Sequence, residues 1–149
     1  MVLSVDVCPK DYGDLAVSRV RVLVADDHRA MLESLVRLLS RDHDVVAAVP
    51  DGLAVVSDAA RLEPDLLVLD IAMPGLSGIA AAKQLKARGS TAKIVFVTMH
   101  HDREFVEASL TLGPVGFVAK DRLMLDLLPA IRDVLAGQSF VSPTAAVHE

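Results

Sequence analysis

The chain has 149 residues, 52% of them hydrophobic, which is enough for one domain with a sizeable core and too few for two ordinary domains. Its net charge of -5 excludes a globally basic surface for nucleic acid, and its single cysteine, Cys8, excludes a disulfide framework or a multi-cysteine zinc site. No apolar run approaches the roughly 18 residues of a membrane span, and no secretory signal is visible. We expect a cytoplasmic protein that binds neither membranes nor, by itself, nucleic acid.

Five short apolar runs, rich in Val, Leu and Ile, predict parallel strands that are buried on both faces. They cover residues 20–25, 45–49, 66–69, 94–97 and 115–119. Residues 1–19 show no sustained hydrophobic period and are predicted to form a flexible N-terminal arm. The ordered domain is predicted to span residues 20–137, and residues 138–149 are predicted to be a tail or the start of a linker.

Segments with helical spacing of apolar residues, or with a capping residue, lie between and after these strands. Helices are predicted over residues 31–39, 52–62, 77–88, 101–112 and 124–135. Alternation of this kind is typical of an α/β protein with a doubly wound parallel sheet. We predict a flavodoxin-like, five-stranded sheet of order 2-1-3-4-5, with helices on both faces and the site at the carboxyl ends of the strands.

Polar residues stand at the ends of four of these strands: Asp26 and Asp27 after the first, Asp70 after the third, Thr98 after the fourth and Lys120 after the fifth. Neighbouring strands are about 4.8 Å apart, so these side chains should meet in one pocket. Each alone has an ordinary explanation, such as a helix cap for Asp27, a turn residue for Asp70 or a solvated charge for Lys120. Together, three carboxylates that one ammonium cannot neutralise predict a site for a hard cation such as Mg²⁺.

Four segments carry a resemblance to a known family. VADD ends at Asp27, LVLDIAMPG surrounds Asp70, VFVT ends at Thr98 and GFVAK ends at Lys120. Over residues 20–137 the chain resembles the receiver domains of bacterial response regulators in two-component signalling. His28 and the run Thr98-Met99-His100 are similar to the branch with LuxR-type (NarL-like) outputs.

The resemblance implies that Asp70 accepts a phosphoryl group from a sensor histidine kinase and that Thr98 and Lys120 engage its oxygens. It implies an Mg²⁺ ion held by three carboxylates and one backbone carbonyl, those of Asp26, Asp27, Asp70 and Ala72. Phe117 stands where the family has its switch aromatic, and movement of Thr98 toward the phosphoryl group would leave space for Phe117 to turn. No enzymatic turnover is expected beyond slow autodephosphorylation.

The expected output is transcriptional control through a LuxR-type domain that is not present in this chain, with a homodimer forming on phosphorylation. The expected dimer surface comprises the helix over 101–112, the strand over 115–119 and the helix over 124–135. Asp121 stands where many receivers have proline, so a cis bond after Lys120 is not assumed, and Gly113-Pro114 stands where Gly-Ala is usual.

Other functions fit the residues less well. An aspartate-nucleophile phosphatase needs a second aspartate where this chain has Ala72, and no Gly-x-Gly-x-x-Gly follows the first strand for a dinucleotide. His28, His100 and His101 are an alternative set of transition-metal ligands, although adjacent histidines rarely chelate one ion. A receiver-like interaction domain that never accepts phosphate is the remaining alternative.

Overall fold

The computed structural model describes residues 19–99, 107–109 and 111–143. Residues 1–18 of the predicted arm, which include Cys8, lie outside the described residues, as do residues 100–106, Leu110 and residues 144–149. The predicted helix over 101–112 therefore lies largely outside them. The strands are β1 Arg21–Ala25, β2 Asp44–Val49, β3 Leu66–Asp70, β4 Lys93–Thr98, β5 Gly116–Ala119 and β6 Phe140–Val141. The helices are α1 Arg29–Leu39, α2 Gly52–Leu62, α3 Gly78–Ala87, the helical residues 107–109 (α4), and α5 Leu123–Leu135. A 3-10 turn, Lys120–Arg122, leads into α5, and none of the described helices is long and apolar enough to cross a membrane.

All strand pairs are parallel, and the order is β2-β1-β3-β4-β5-β6. The predicted fold class and the order of the first five strands are confirmed. Among the described residues the sheet has six strands rather than the predicted five, because β6 pairs with the outer edge of β5. A two-residue strand is too short to show a hydrophobic period, so the sequence pattern predicts only a tail or linker in this segment.

The sheet is covered by helices on both faces, which explains why the strands are almost continuously apolar. On one face, Val24, Val68 and Val97 pack in a cluster that contains Leu35 of α1 and Leu127 of α5. On the other face the cluster is formed with residues of α2 and α3 and includes two large aromatic side chains, Phe96 and Phe117. The strands are therefore held rigidly from both sides, and their carboxyl ends have fixed positions.

Helix starts are set by side-chain caps at two of the predicted positions. Asp51 Oδ1 accepts the backbone N–H of Ala54 at 2.8 Å, and Ser77 Oγ accepts that of Ala80 at 3.1 Å. At α1 the cap position is His28, whose side chain makes no capping hydrogen bond. The ordinary explanation of Asp27 as a helix cap is therefore wrong.

Candidate functional site

The candidate site is built at one edge of the sheet by the parallel register of four strands. Asp70 is the last residue of β3 and Thr98 the last of β4, while Asp26 directly follows β1 and Lys120 directly follows β5. Four of the predicted side chains, those of Asp26, Asp27, Asp70 and Lys120, meet at this edge of the sheet, and Thr98 ends the strand next to that of Asp70. The convergence expected from the order of the strands is present.

Carboxylates dominate this pocket. Ligand atoms of Asp26, Asp27, His28 and Asp70 all lie within 4.8 Å of one another. Asp26 and Asp70 are buried, whereas Asp27 is exposed, so the cluster opens to solvent on one side. A small ligand can reach the two buried carboxylates from that side.

Lys120 provides the positive charge within the pocket. Its Nζ lies 2.8 Å from Asp26 Oδ2 and 3.5 Å from Asp70 Oδ2, and its side chain is only 6% exposed. One ammonium faces three carboxylates, so negative charge remains uncompensated. Asp26 Oδ2 is buried and accepts no hydrogen bond of good geometry in spite of the contact with Lys120.

These observations fit an Mg²⁺ ion. The donors are oxygens, a buried carboxylate oxygen lacks a hydrogen bond, and the open side leaves room for the waters that Mg²⁺ retains. Asp26, Asp27 and Asp70 are the side chains that could hold the ion. The backbone of Ala72 hydrogen-bonds the Asp70 carboxylate, so the turn after β3 also lies against this site.

Asp70 is mostly ionised at neutral pH, although its pKa lies well above the usual value for an aspartate. Burial raises the pKa of Asp70 to about 6, and the charge of Lys120 opposes this rise. The Asp26 charge and a hydrogen bond with Asp27 raise the pKa of Asp70, whereas the hydrogen bond with the Ala72 backbone lowers it. A cation bound at this site would favour the ionised form further.

His28 lies beside the carboxylates. Its backbone N–H donates to Asp26 Oδ1 at 2.8 Å, and its Nδ1 lies 3.3 Å from Asp27 Oδ1. The imidazole is 75% exposed, so it lies at the rim of the pocket. Of the alternative transition-metal ligands, only His28 is among the described residues, and it has no second histidine in its cluster there.

The expected switch residues are both completely buried. Thr98 ends β4, and Phe117 lies in β5 opposite Phe96 in the parallel register. Phe117 lies in β5 three residues before Lys120, which directly follows this short strand, so one strand positions both the aromatic side chain and the lysine. The Lys120–Asp121 peptide bond is trans, because the described residues contain no cis bond.

Sequence reasoning missed Gly78 as a residue of this site. A Cβ placed on Gly78 would lie 2.2 Å from the backbone oxygen of Asp70. The backbone N–H of Gly78 donates to Ile71 O at 2.9 Å. Only glycine allows the start of α3 to pack this closely against the end of β3. A glycine directly after the cap Ser77 was the available signal, but the packing partner depends on the tertiary fold.

Comparison with known proteins agrees with this geometry. Residues 22–132 match the family described as the response regulator receiver domain. Response regulator GacA of Pseudomonas viridiflava is 34% identical over 130 residues, which cover 85% of this chain and 60% of that protein. A probable transcriptional regulatory protein NarL of Mycobacterium tuberculosis is 30% identical over 128 residues, covering 85% of this chain and 59% of that protein. The chain therefore spans about 60% of the length of these curated relatives.

Solved structures give the same result. A two-component response regulator of the LuxR family from Aurantimonas sp. SI85-9A1 superposes with a TM-score of 0.80 at 31% identity, covering 87% of this chain and 94% of that one. The signal receiver domain of the putative response regulator NarL from Mycobacterium tuberculosis superposes with a TM-score of 0.76 at 30% identity, covering 82% of this chain and all of that one. With the match over residues 22–132, these relatives establish that the chain belongs to the response regulator receiver domain family.

Proposed function

We propose that this chain is a phosphorylation-activated receiver in which the Asp70 carboxylate accepts a phosphoryl group from a histidine of a sensor kinase. The observation that carries this proposal is the contact of one buried ammonium, that of Lys120, with both buried carboxylates, Asp26 and Asp70. That arrangement offers a nucleophile and a positive charge at the place where a phosphoryl group would arrive. Mg²⁺ is proposed as the required cation.

In the proposed transfer, an oxygen of Asp70 attacks phosphorus and forms an acyl-phosphate bond. The bond between phosphorus and the kinase imidazole nitrogen breaks, its electron pair stays on that nitrogen, and the nitrogen takes up a proton from solvent. The protein contributes by positioning and by charge, because little covalent chemistry is required of it. Lys120 and Thr98 are proposed to bind phosphoryl oxygens, and Phe117 is proposed to turn when Thr98 moves.

The proposed metal ligands are the carboxylates of Asp26, Asp27 and Asp70 with the backbone carbonyl of Ala72. Bound Mg²⁺ would offset the combined negative charge of the nucleophile and the phosphoryl group. The acyl phosphate is expected to hydrolyse slowly, which suits a signalling protein rather than an enzyme. We assign the reaction to the cytoplasm, where such a kinase would make its phosphohistidine from ATP.

Intact-mass measurement tests the phosphoacceptor. The wild-type chain, incubated with acetyl phosphate and Mg²⁺, is expected to gain one phosphoryl group, and Asp70→Asn is expected to gain none. Asp58→Asn is the matched control, because Asp58 lies on α2 in a surface ion pair with Arg61. Equal labelling of Asp70→Asn would overturn the assignment, and an unlabelled wild type would favour an interaction domain that never accepts phosphate.

A titration monitored by NMR tests the metal. Mg²⁺ is expected to shift the resonances of Asp26, Asp27 and Asp70 together, and Asp27→Ala is expected to weaken binding. Undiminished Mg²⁺ affinity in Asp27→Ala would remove the proposed ligand set. A titration of the wild type and of His28→Ala with Zn²⁺ would show whether His28 supports a transition metal instead.

The proposed output is transcriptional control through a LuxR-type DNA-binding domain. The relatives include transcriptional regulators longer than this chain, and solved structures describe RcsB dimers bound to DNA. We propose that phosphorylation favours a homodimer. The surface predicted from the sequence is α4, β5 and α5. Because β6 pairs with the edge of β5, we propose the surface formed by α4, β6 and α5 instead.

A further inference from the structure

The segment that carries β6 reaches the pocket end of β5 through one buried serine. Ser142 is completely buried, and its backbone N–H donates to Phe117 O at 2.8 Å. Its Oγ accepts the backbone N–H of Ala119 at 3.1 Å. Ala119 is the residue directly before Lys120, so Ser142 holds the backbone from which the Lys120 side chain extends.

The other side of the Lys120 turn is held by an ion pair. Arg122 Nε donates to Asp126 Oδ2 at 2.7 Å, and Arg122 Nη2 donates to Asp126 Oδ1 at 3.3 Å. Burial raises the pKa of Asp126, but hydrogen bonds from Arg122 and Ser142 outweigh it, so the pKa lies below its usual range. Asp126 is therefore an anion at neutral pH, which strengthens both hydrogen bonds.

Ser142 joins these two supports. Its hydroxyl donates to Asp126 Oδ2 at 2.6 Å while accepting from Ala119, so it links β5 to α5 across the 3-10 turn that begins with Lys120. Three side chains thus fix the two ends of the turn: Ser142 binds the residue before it, and Asp126 binds both Ser142 and the last residue of the turn, Arg122. We call them the lysine-turn cluster.

We propose that Ser142 is a positioning residue for Lys120, and that the β6 segment and the phosphoryl pocket are thereby energetically coupled. The inference rests on the proposed function of the pocket, in which Lys120 binds phosphoryl oxygens. The lysine-turn cluster does not touch the proposed phosphoryl group and acts through the backbone of Ala119 and the 3-10 turn. Coupling is reciprocal, so a ligand that fixes Lys120 also fixes β6.

A second serine of the same segment supplies the matched control. Ser139 Oγ accepts the backbone N–H of Val115 at 3.3 Å, at the end of β5 remote from Lys120. Both serines therefore bind the backbone at an end of β5, but only Ser142 does so beside the pocket. Comparing variants of Ser139 and Ser142 therefore distinguishes an effect on the position of Lys120 from a general loosening of β6.

The first measurement needs no ligand in the pocket. The NMR resonances of the Lys120 side-chain ammonium are expected to shift in Ser142→Ala and in Asp126→Asn, and to keep their wild-type positions in Ser139→Ala. Ser142→Thr, which keeps the hydroxyl, is expected to restore the wild-type resonances. Identical Lys120 resonances in the wild type, Ser142→Ala and Asp126→Asn would overturn the proposal whether or not Asp70 accepts phosphate.

The second measurement uses the phosphoryl mimic BeF3⁻ with Mg²⁺. We expect Ser142→Ala to weaken BeF3⁻ binding about fivefold, within the usual range of coupling between sites, and Ser139→Ala to change it less than twofold. In the wild type, BeF3⁻ is expected to slow hydrogen exchange at the Ser142 amide. Equal affinities in the two alanine variants, with wild-type binding intact, would overturn the coupling alone, whereas a wild type that fails to bind BeF3⁻ would overturn the proposed function and the coupling together.

Discussion

Lys120 Nζ lies 2.8 Å from Asp26 Oδ2, and both side chains are almost completely withdrawn from solvent. A buried pair of this kind costs desolvation on both sides, so it is weak evidence for stability by itself. Removing one partner leaves the other charge buried and unpaired, and a further charge that enters the pocket must interact with both. The pair therefore connects the stability of the fold with the chemistry of the pocket.

Removing Lys120 should destabilise the chain. Lys120→Met leaves the buried Asp26 charge without the ammonium that faces it, and loss of one member of a buried ion pair costs about 3–5 kcal/mol. We expect a loss near the lower end, about 3 kcal/mol, in urea unfolding with EDTA present, because the pocket opens to solvent beside Asp27. Saturating Mg²⁺ should recover part of the loss.

Lys83→Met is the control for this experiment, because Lys83 is exposed on α3. Its substitution should change the free energy of unfolding by less than about 0.5 kcal/mol. An equally small effect of Lys120→Met would show that Asp26 carries no buried charge that needs Lys120.

Asp70 should make stability depend on pH with a definite sign. Its folded-state pKa is raised from 3.8 to about 6, chiefly by burial. A raised pKa in the folded state gives stability that is fully present below the unfolded pKa and is lost as pH rises through about 6. Without metal, Asp70→Asn should therefore exceed the wild type in free energy of unfolding at pH 7.5, by on the order of 1 kcal/mol, after allowing for the partly open pocket.

The measurement is urea unfolding of both proteins with EDTA at pH 4.5, 6 and 7.5. The advantage of Asp70→Asn should grow over this range, and saturating Mg²⁺ should reduce it by stabilising the wild type through binding. A constant difference between the two proteins would contradict the raised pKa of Asp70.

Much of the fold was predictable because parallel strands buried on both faces are nearly continuous apolar runs. The first five strands were predicted to within one residue at each end. The two-residue β6 was missed, because its existence depends on the free edge of β5 and not on its own pattern. The polar residues at four strand ends predicted the convergence at the site. The roles of Gly78 and Ser142 could not be predicted, because they depend on a close approach and a hydrogen bond between distant segments.

Gly78 should be required for the geometry of the site as well as for stability. A Cβ on Gly78 would lie 2.2 Å from Asp70 O, and one on Gly52 would lie 2.1 Å from Leu76 O, both against backbone. Alanine at either position should therefore destabilise the chain by about 1–3 kcal/mol through overpacking. Only Gly78→Ala should also displace the end of β3 and weaken Mg²⁺ binding.

Gly52→Ala is thus the matched comparison, because it introduces a similar clash away from Asp70. Thermal unfolding measures the loss of stability in both variants, and Mg²⁺ titration followed by NMR measures the metal site. Equal Mg²⁺ affinities in the two variants would show that the contact of Gly78 with Asp70 does not control the pocket.

The surface formed by α4, β6 and α5 is expected to mediate dimerisation when the pocket is occupied. On α5, Leu125 and Leu128 are 66% and 40% exposed, and such apolar residues on one helix are suited to an interface. In sedimentation velocity, BeF3⁻ with Mg²⁺ should shift the wild type toward dimer. Leu128→Glu should prevent the shift by placing a charge in the interface, whereas Leu53→Glu, at an exposed apolar residue on α2, should not.

Phe117 should couple this surface to the pocket. It is fully buried three residues before Lys120, and its backbone oxygen accepts the N–H of Ser142 beside β6. Phe117→Ala should blunt the BeF3⁻-induced dimer, but it also costs about 3–5 kcal/mol of stability, so Phe117→Leu is the variant of choice if the alanine protein unfolds. Both variants should still bind BeF3⁻ while dimerising less. A wild type that stays monomeric with the mimic bound would instead indicate regulation through a separate protein partner, because the switched surface would then not form a homodimer.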